Sequence, residues 1–132
     1  MKRSELREHI FKLLFGVEFR EDADFTEQTG TYVREIEGAD EKEQEYIQTK
    51  VHRIADRIQE IDELINTHTK GWKTSRMNKV DITILRLAVY EMKWDDSVPV
   101  GVAINEAVEL AKKYSSDDGP AFVNGVLAKL AD

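Results

Sequence analysis

Apolar side chains recur every three or four residues along most of the chain, which is the spacing of one face of an α-helix. The pattern is densest from Val98 to Leu130, where it predicts two helices joined by a polar break over residues 115–120. Pro99 suits the first turn of the earlier helix, because the missing N–H costs nothing there. The Gly-Pro pair that ends the break predicts the start of a new helix. The later helix is expected to bury one side, formed by Val123, Val126, Leu127 and Leu130.

Two shorter helices are predicted near the N-terminus. The first runs from residue 4 to about residue 19, with Ser4 as its N-cap. Gly16 falls inside it, and we interpret this glycine as a point of close packing, since glycine otherwise weakens a helix by about 1 kcal/mol. The second helix runs from Asp24 towards Gly38, where a glycine is expected to end it.

Two longer helices follow in the middle of the chain. One begins after Asp40, where Glu43 stands in the capping-box position, and its isoleucines continue in helical register as far as Ile65. The other, from Val80 to Trp94, is apolar over most of its circumference, as expected for the central helix of a bundle. No segment shows the alternation typical of a strand, so the sequence predicts an all-α fold.

The size and composition of the chain fit one globular domain over residues 1–132. Its hydrophobic content is 41% and its charged content 34%, which is typical of a helix-rich protein that builds its own core. No apolar run approaches the roughly 20 residues of a membrane span. The N-terminal segment carries charges where a secretion signal would be apolar, so we predict a cytoplasmic protein without membrane association.

The net charge of −7 argues against a general nucleic-acid binder, because neutralising phosphates requires a basic surface. The charge is unevenly distributed, however. Residues 1–12 carry a balance of +2, residues 13–67 a balance of −9, and residues 68–132 are neutral. A modest basic patch is therefore expected if the two ends of the chain meet in space.

The search for an active site or a cofactor site is negative. The chain has no cysteine, which excludes disulfides, a thiol nucleophile and thiolate zinc ligands. His52 and Asp56 have a spacing that can hold a metal, but no third ligand lies in register, so no metal site is predicted. No phosphate-binding loop, nucleophile elbow or dinucleotide fingerprint is present. The sequence thus predicts neither an enzyme nor a cofactor.

Three features of the sequence leave both a structural and a binding interpretation open. The segment 66–78 places Lys70, Lys73, Arg76 and then Lys79 around Trp72, a pattern that either clamps a nucleic-acid strand or packs the indole as a plug. The amides of Asn105 and Asn124 lie in apolar helical runs, where they either contact RNA or a partner backbone or form a hydrogen bond between helices, which is the favoured interpretation. The ring of Phe122 either caps the core or stacks on a base.

Four segments resemble the NusB family of transcription antitermination factors. VAINEAVELAKKY and FVNGVLAKL are similar to the C-terminal signature of that family, MNKVDITILRLAVYEM to its central helix, and RSELREHIFKLLF to its first helix. The resemblance spans nearly the whole chain. It implies six or seven helices in two packed helical subdomains that form one RNA-binding domain.

The resemblance also implies a function. Members of this family bind the boxA element of nascent RNA together with NusE, a protein of the small ribosomal subunit. The complex joins the transcribing RNA polymerase and other Nus factors and suppresses premature termination, notably in ribosomal RNA operons.

The family's RNA-contacting positions can be carried over to this chain. The resemblance implies that Lys2, Arg3 and Arg7 contact phosphates, and that Asp118 and Phe122 contact bases. The family's first helix is often richer in arginine, whereas this chain has Glu5 among its basic residues. We therefore expect weak binding of RNA alone, with a shallow dependence on salt.

The resemblance places the protein partner, NusE, near Phe15, Phe19 and Asp81. An apolar first helix permits a homodimer as well as a monomer. Two other functions compete with antitermination. One is a helical protein-interaction adaptor without RNA specificity, which would suit the negative charge. The other is the N-terminal helical module of an RNA cytosine methyltransferase, but the sequence, which ends at Asp132, leaves no room for a catalytic domain.

Overall fold

The computed structural model describes residues 1–16 and 22–131. Over these residues the chain forms seven α-helices, one short 3-10 helix and no β-strand, which confirms the predicted all-α fold. The helices divide into two compact units, Met1–Asp56 and Arg57–Asp132. The elements, in chain order, are α1 (Arg3–Phe15), α2 (Asp22–Arg34), α3 (Glu41–Ala55), α4 (Ile58–His68), the 3-10 helix (Thr74–Arg76), α5 (Lys79–Trp94), α6 (Val100–Tyr114) and α7 (Gly119–Leu130).

In the first unit, α1 and α2 both pack on α3. The apolar stripes predicted from the sequence form its core, because each helix turns its three- and four-residue spaced side chains inward. The fully or nearly fully buried members are Ile10, Phe11, Leu13, Leu14, Phe25, Val33, Ile47, Val51 and Ile54.

The start of α3 confirms the predicted cap. The Asp40 carboxylate accepts a hydrogen bond from the Glu43 backbone N–H at 2.8 Å, and the Glu43 carboxylate accepts one from the Asp40 N–H at 3.0 Å. These reciprocal bonds satisfy two N–H groups that have no partner inside the helix.

The ends of α1 differ from the prediction. Its N-cap is Lys2 rather than Ser4, and the Glu5 carboxylate accepts a hydrogen bond from the Lys2 N–H at 3.1 Å. Gly16 is the C-cap and does not lie inside the helix. The rest of the predicted helix, residues 17–19, lies outside the described residues.

The single long helix predicted from Asp40 to Ile65 is wrong. The chain breaks into α3 and α4 at Asp56 and Arg57, the boundary of the two units, although the isoleucines on either side keep helical register. The backbone of Arg57 leaves helical geometry, with φ −111° and ψ 8°. Its guanidinium carbon lies 4.8 Å from the centroid of the Trp94 ring. The residues next to Arg57 in the sequence do not predict this contact.

In the second unit, α4, α6 and α7 all pack on α5. Every residue of α5 from Asp81 to Glu91 is buried, which confirms the prediction of a central helix. The run includes a charged group, Arg86, whose Nε and Nη2 atoms donate to the two carboxylate oxygens of Asp62 at 2.9 and 2.8 Å. This bidentate geometry is the arrangement that makes a buried guanidinium tolerable.

The residues predicted to face inward on α7 are confirmed, since Val123, Val126 and Leu127 are completely buried and Leu130 nearly so. Gly119 opens this helix directly against the end of α6. A Cβ atom at Gly119 would overlap Cβ and Oγ of Ser115 and would lie 3.4 Å from a carboxylate oxygen of Asp81. The helix can begin here only because position 119 has no side chain. No helix in the described part of the chain is long and apolar enough to cross a membrane.

Gly119→Ala is expected to destabilise the protein. The added methyl overlaps Ser115 Cβ, which is fixed to the backbone and cannot rotate away, and such overpacking costs about 1–3 kcal/mol. Gly125→Ala is the matched control, because nothing lies within 4 Å of its added Cβ and alanine favours a helix interior. Thermal unfolding should show a lower Tm for Gly119→Ala alone. Equal Tm values for the two variants would contradict the close approach.

His9 and Tyr32 form a polar contact inside the first unit. The His9 Nδ1 atom lies 2.8 Å from the Tyr32 hydroxyl, and the two rings meet edge to face at 5.7 Å. Burial lowers the pKa of His9 below its ordinary 6.5, with a smaller effect of Lys12 in the same direction. The folded protein therefore binds this proton less readily than the unfolded chain does.

The stability of the first unit should fall as the medium becomes acidic. Because the folded pKa of His9 is depressed, its contribution is present above pH 6.5 and is lost as the pH falls towards the folded pKa. An NMR titration of the His9 ring is expected to give a pKa below 6.5. The pKa of His9 should stay low in Tyr32→Phe, because burial is the largest cause of its shift. A pKa at or above 6.5 would refute this account.

Candidate nucleic-acid interface

The loop that joins α4 to α5, residues 69–78 and hereafter the α4–α5 loop, is held by its own side chains. The Thr69 hydroxyl lies 2.6 Å from the Ile65 carbonyl and 2.8 Å from the Trp72 carbonyl. Gly71 takes a φ of +85°, a left-handed conformation that glycine adopts without strain. Further along, the Asn66 side-chain oxygen accepts a hydrogen bond from the Thr74 N–H at 2.8 Å. The loop is thus a formed structure that presents Trp72 at its tip.

The last residue of this loop, Asn78, forms hydrogen bonds with the buried residue Asp81. Asn78 caps α5 by accepting a hydrogen bond from the Asp81 N–H at 2.8 Å, and its amide donates to Asp81 Oδ2 at 3.0 Å. The other oxygen, Oδ1, accepts a hydrogen bond from the Ser115 hydroxyl at 2.6 Å. Asp81 is only 6% exposed, so these donors replace the water that its charge loses on burial. The network joins the start of α5 to the end of α6.

Above this network the second unit carries a cavity of about 340 Å³. On one side it is bounded by the α4–α5 loop and on the other by the break between α6 and α7. The rings of Trp72 and Phe122 meet there edge to face, with centroids 5.2 Å apart and planes at 66°. The lining residues are Gly71, Trp72, Lys73, Arg76, Met77, Asn78, Asp81, Ser116, Asp118, Gly119 and Phe122.

The chemistry of the cavity combines ring surfaces with charge. Trp72 is 44% exposed, and Phe122 is half-buried. Lys73 and Arg76 are exposed on the loop side, and Asp118 is exposed on the opposite side. Aromatic faces suit stacking with bases, cations suit phosphates, and a carboxylate can accept from base amino groups. The structure thus brings two residues expected to contact bases, Asp118 and Phe122, into one cavity.

The predicted phosphate-binding residues lie in the other unit, on or next to the first turns of α1. Lys2 and Arg3 are exposed and available to a ligand. Arg7 is only 7% exposed, and its side chain already interacts with other residues. The three predicted cations therefore differ in their access to an RNA phosphate.

The predicted partner-binding residues also differ among themselves. Phe15 is 40% exposed, with its ring 6.4 Å from that of Phe11. Phe19 lies outside the described residues. Asp81 is buried in the network with Ser115, so most of its carboxylate is occupied within its own unit.

The interpretation of Asn105 and Asn124 as buried hydrogen-bonding amides is wrong. Both side chains are exposed, and both line a shallow groove between α6 and α7 together with Ile104 and Val108. An apolar neighbourhood in the sequence did not mean burial, because the apolar residues of α6 extend beyond its buried stripe. Val100 and Val102 are 38% and 46% exposed.

The hydrogen bonds around Asp81 were not predicted from the sequence, although the sequence contains an indication of one of them. Asn78 stands three residues before Asp81, the spacing of a capping box, and marks the start of α5. Nothing comparable indicates the partner Ser115, which reaches Asp81 only through the fold. Among the described residues, no group of three or more His, Asp or Glu side chains is placed to hold a metal.

The described residues define an all-helical fold whose second unit carries a cavity lined by aromatic and charged side chains. The family model described as the NusB family matches residues 4–132, and the chain belongs to that family. It is therefore a transcription antitermination factor and not an enzyme.

Several known proteins are similar to this chain over nearly its whole length. It is 50% identical to the transcription antitermination protein NusB of Agathobacter rectalis over 131 residues, which cover 99% of this chain and all of that protein. It is 47% identical to the NusB of Lachnoclostridium phytofermentans, with both chains fully covered.

Two solved structures are also similar. NusB of T. maritima shares 34% identity with a TM-score of 0.87, covering 99% of this chain and 91% of that one. A chain in the crystal structure of a plectonemic RNA supercoil shares 30% identity with a TM-score of 0.81, covering 96% of this chain and 91% of that one.

Proposed function

We propose that this protein acts in the cytoplasm, where it binds the boxA element of nascent RNA together with NusE, a protein of the small ribosomal subunit. The complex then joins the transcribing RNA polymerase and other Nus factors and suppresses premature termination, notably in ribosomal RNA operons. Both helical units act as one RNA-binding domain in this proposal, since residues of both contribute to the RNA contacts.

The observation that carries the proposal is the cavity that holds Asp118 and Phe122 next to exposed cations. A half-buried ring at the start of a helix, beside an exposed carboxylate, provides a surface for stacking and an acceptor for base N–H groups. The similar chain in the RNA supercoil structure supports the same class of ligand.

The phosphate contacts are proposed to come from the start of α1. Lys2 and Arg3 are expected to contribute more than Arg7, because Lys2 and Arg3 are exposed whereas Arg7 is largely buried. Two accessible cations release few counterions, so the RNA affinity of the protein alone should be low.

The contact with NusE is proposed to involve Phe15, an exposed aromatic ring of the kind that anchors protein interfaces. Phe19 and Asp81 remain part of this proposed surface. Because Asp81 is buried, its part is to hold the start of α5 in place rather than to offer a free carboxylate.

The affinity for boxA RNA is expected to rise when NusE is added, because a second protein supplies contacts that an acidic chain with only two exposed cations at the start of α1 lacks. The measurement is an anisotropy titration of labelled boxA RNA with and without NusE, with a scrambled RNA of the same composition as control. Unchanged affinity on adding NusE would refute the cooperation. Equal affinity for boxA and scrambled RNA would instead favour a protein-interaction adaptor.

Phe122→Ala is expected to weaken boxA binding by roughly 5- to 100-fold, the loss of one stacked base, while Tm changes little. Phe11→Ala serves as the comparison, since this ring is 4% exposed in the core of the first unit and its removal should cost about 3–5 kcal/mol. If Phe122→Ala lowered Tm as much as Phe11→Ala does, Phe122 would be a core residue.

A further inference from the structure

We infer that Trp72, Lys73 and Arg76 of the α4–α5 loop bind one unstacked nucleotide of single-stranded RNA. Its base rests on the indole ring beside Phe122, and its phosphate meets the two cations. The inference rests on the proposed function and extends its RNA surface to a loop that the family resemblance leaves unassigned.

The exposure of Trp72 is the first argument. An indole that served only to fill space would be expected to be mostly buried, whereas 44% of Trp72 is exposed. Its contact with Phe122 is edge to face, and such a contact leaves ring faces uncovered that an offset stack would cover. A base can therefore stack on one ring while its edge touches the other.

The side chain of Lys129 lies over the Trp72 ring but does not close the site. The Lys129 ammonium lies 5.2 Å from the indole centroid, and the residue is exposed. A cation–π contact at an exposed position is weak, so an incoming base can displace the ammonium. The displaced cation would remain close to the phosphate backbone of the bound strand.

The loop is organised before the ligand arrives. Three features fix the backbone on both sides of Trp72: the Thr69 hydroxyl, which donates its single proton to the Ile65 or the Trp72 carbonyl, the left-handed Gly71, and the hydrogen bond from the Thr74 N–H to the Asn66 side chain. A preformed site loses less conformational entropy on binding than a loop that must order itself. This order suits a binding surface better than an incidental exposed ring.

The charges of the cavity set the direction of the nucleotide. Lys73 and Arg76 lie on the loop side and suit the phosphate, whereas the exposed Asp118 on the other side would repel it. The carboxylate of Asp81 is buried and its oxygens accept from Ser115 and Asn78, so the exposed carboxylate at the cavity is that of Asp118. The volume of about 340 Å³ is at the low end of ligand sites and suits one nucleotide rather than a duplex.

Fluorescence can test the stacking directly, since the chain has two tryptophans, Trp72 and Trp94. Trp94→Phe leaves Trp72 as the sole reporter, and Trp72→Phe leaves Trp94, which is half-buried beside Tyr90. Titration with boxA RNA is expected to quench the emission of Trp94→Phe and to leave that of Trp72→Phe nearly unchanged. The reverse pattern, or no quenching at saturating RNA, would overturn the inference.

Affinity and salt dependence test the two halves of the site. Trp72→Leu, which keeps an apolar side chain without a π-face, is expected to raise the Kd for boxA RNA about 5- to 100-fold, and Trp72→Phe to restore most of the loss. The double variant Lys73→Ser/Arg76→Ser should make the slope of log K against log salt shallower by about 0.7, since both cations meet the same phosphate. Lys70→Ser is the control, because Lys70 is on the same loop but does not line the cavity.

The outcomes separate this inference from the proposed function. The inference alone would be overturned if the wild-type protein preferred boxA over scrambled RNA while the Kd of Trp72→Leu for boxA stayed within twofold of the wild-type value. Loss of that preference in the wild-type protein would overturn the proposed function. Quenching of Trp72 by NusE in the absence of RNA would assign the indole to the protein partner and reject the nucleotide site. If Trp72→Leu lowers Tm, its loss of affinity is not specific to the site. The quenching of Trp72 fluorescence in the Trp94→Phe variant then decides whether RNA contacts the indole.

Discussion

The geometry of the second unit depends on the buried carboxylate of Asp81. A charge with 6% exposure is costly unless donors replace the lost water, and here the Ser115 hydroxyl and the Asn78 amide do so. Because those donors belong to the end of α6 and the start of α5, satisfying one charge fixes two helix ends relative to each other. Gly119 then allows α7 to begin against the same point. Phe122 follows within the first turn, so its place in the cavity is set by a hydrogen-bond network that does not itself need to touch a ligand.

Features of the fold that depend on neighbours in the sequence could be predicted, and features that depend on distant contacts could not. The cap formed by Asp40 and Glu43 is local, since both of its hydrogen bonds join residues three apart. The break between α3 and α4 has no local sign, because no glycine or proline marks it and the isoleucines continue in register. It coincides instead with the stacking of Arg57 on Trp94, which only the folded chain brings together. A periodic pattern therefore predicts that a helix forms but not where tertiary contacts will interrupt it.

The same distinction applies to the candidate site. The polar break before Phe122 and the basic residues around Trp72 are both visible in the sequence. Each left a structural and a binding interpretation open. Their meeting at 5.2 Å is a property of the fold, and it joins two ambiguous signals into one cavity. Asn105 and Asn124 show the opposite case, because residue type and apolar neighbours suggested burial where the helices leave them exposed. What a sequence cannot supply is which side of an extensively apolar helix meets the core.

The negative charge of the chain is compatible with RNA recognition if the contacts to bases supply most of the binding free energy. Contacts to phosphates strengthen binding to every sequence alike, because the backbone carries no sequence information. A chain of net charge −7 is expected to gain less from such contacts than a basic protein does, so we expect its nonspecific binding to be weak. Stacking on rings and hydrogen bonds to base edges do not depend on net charge and respond to the identity and unstacking of the base. Low electrostatic attraction therefore weakens binding to all sequences alike, and a larger share of the remaining binding free energy comes from the aromatic and carboxylate groups that contact the bases.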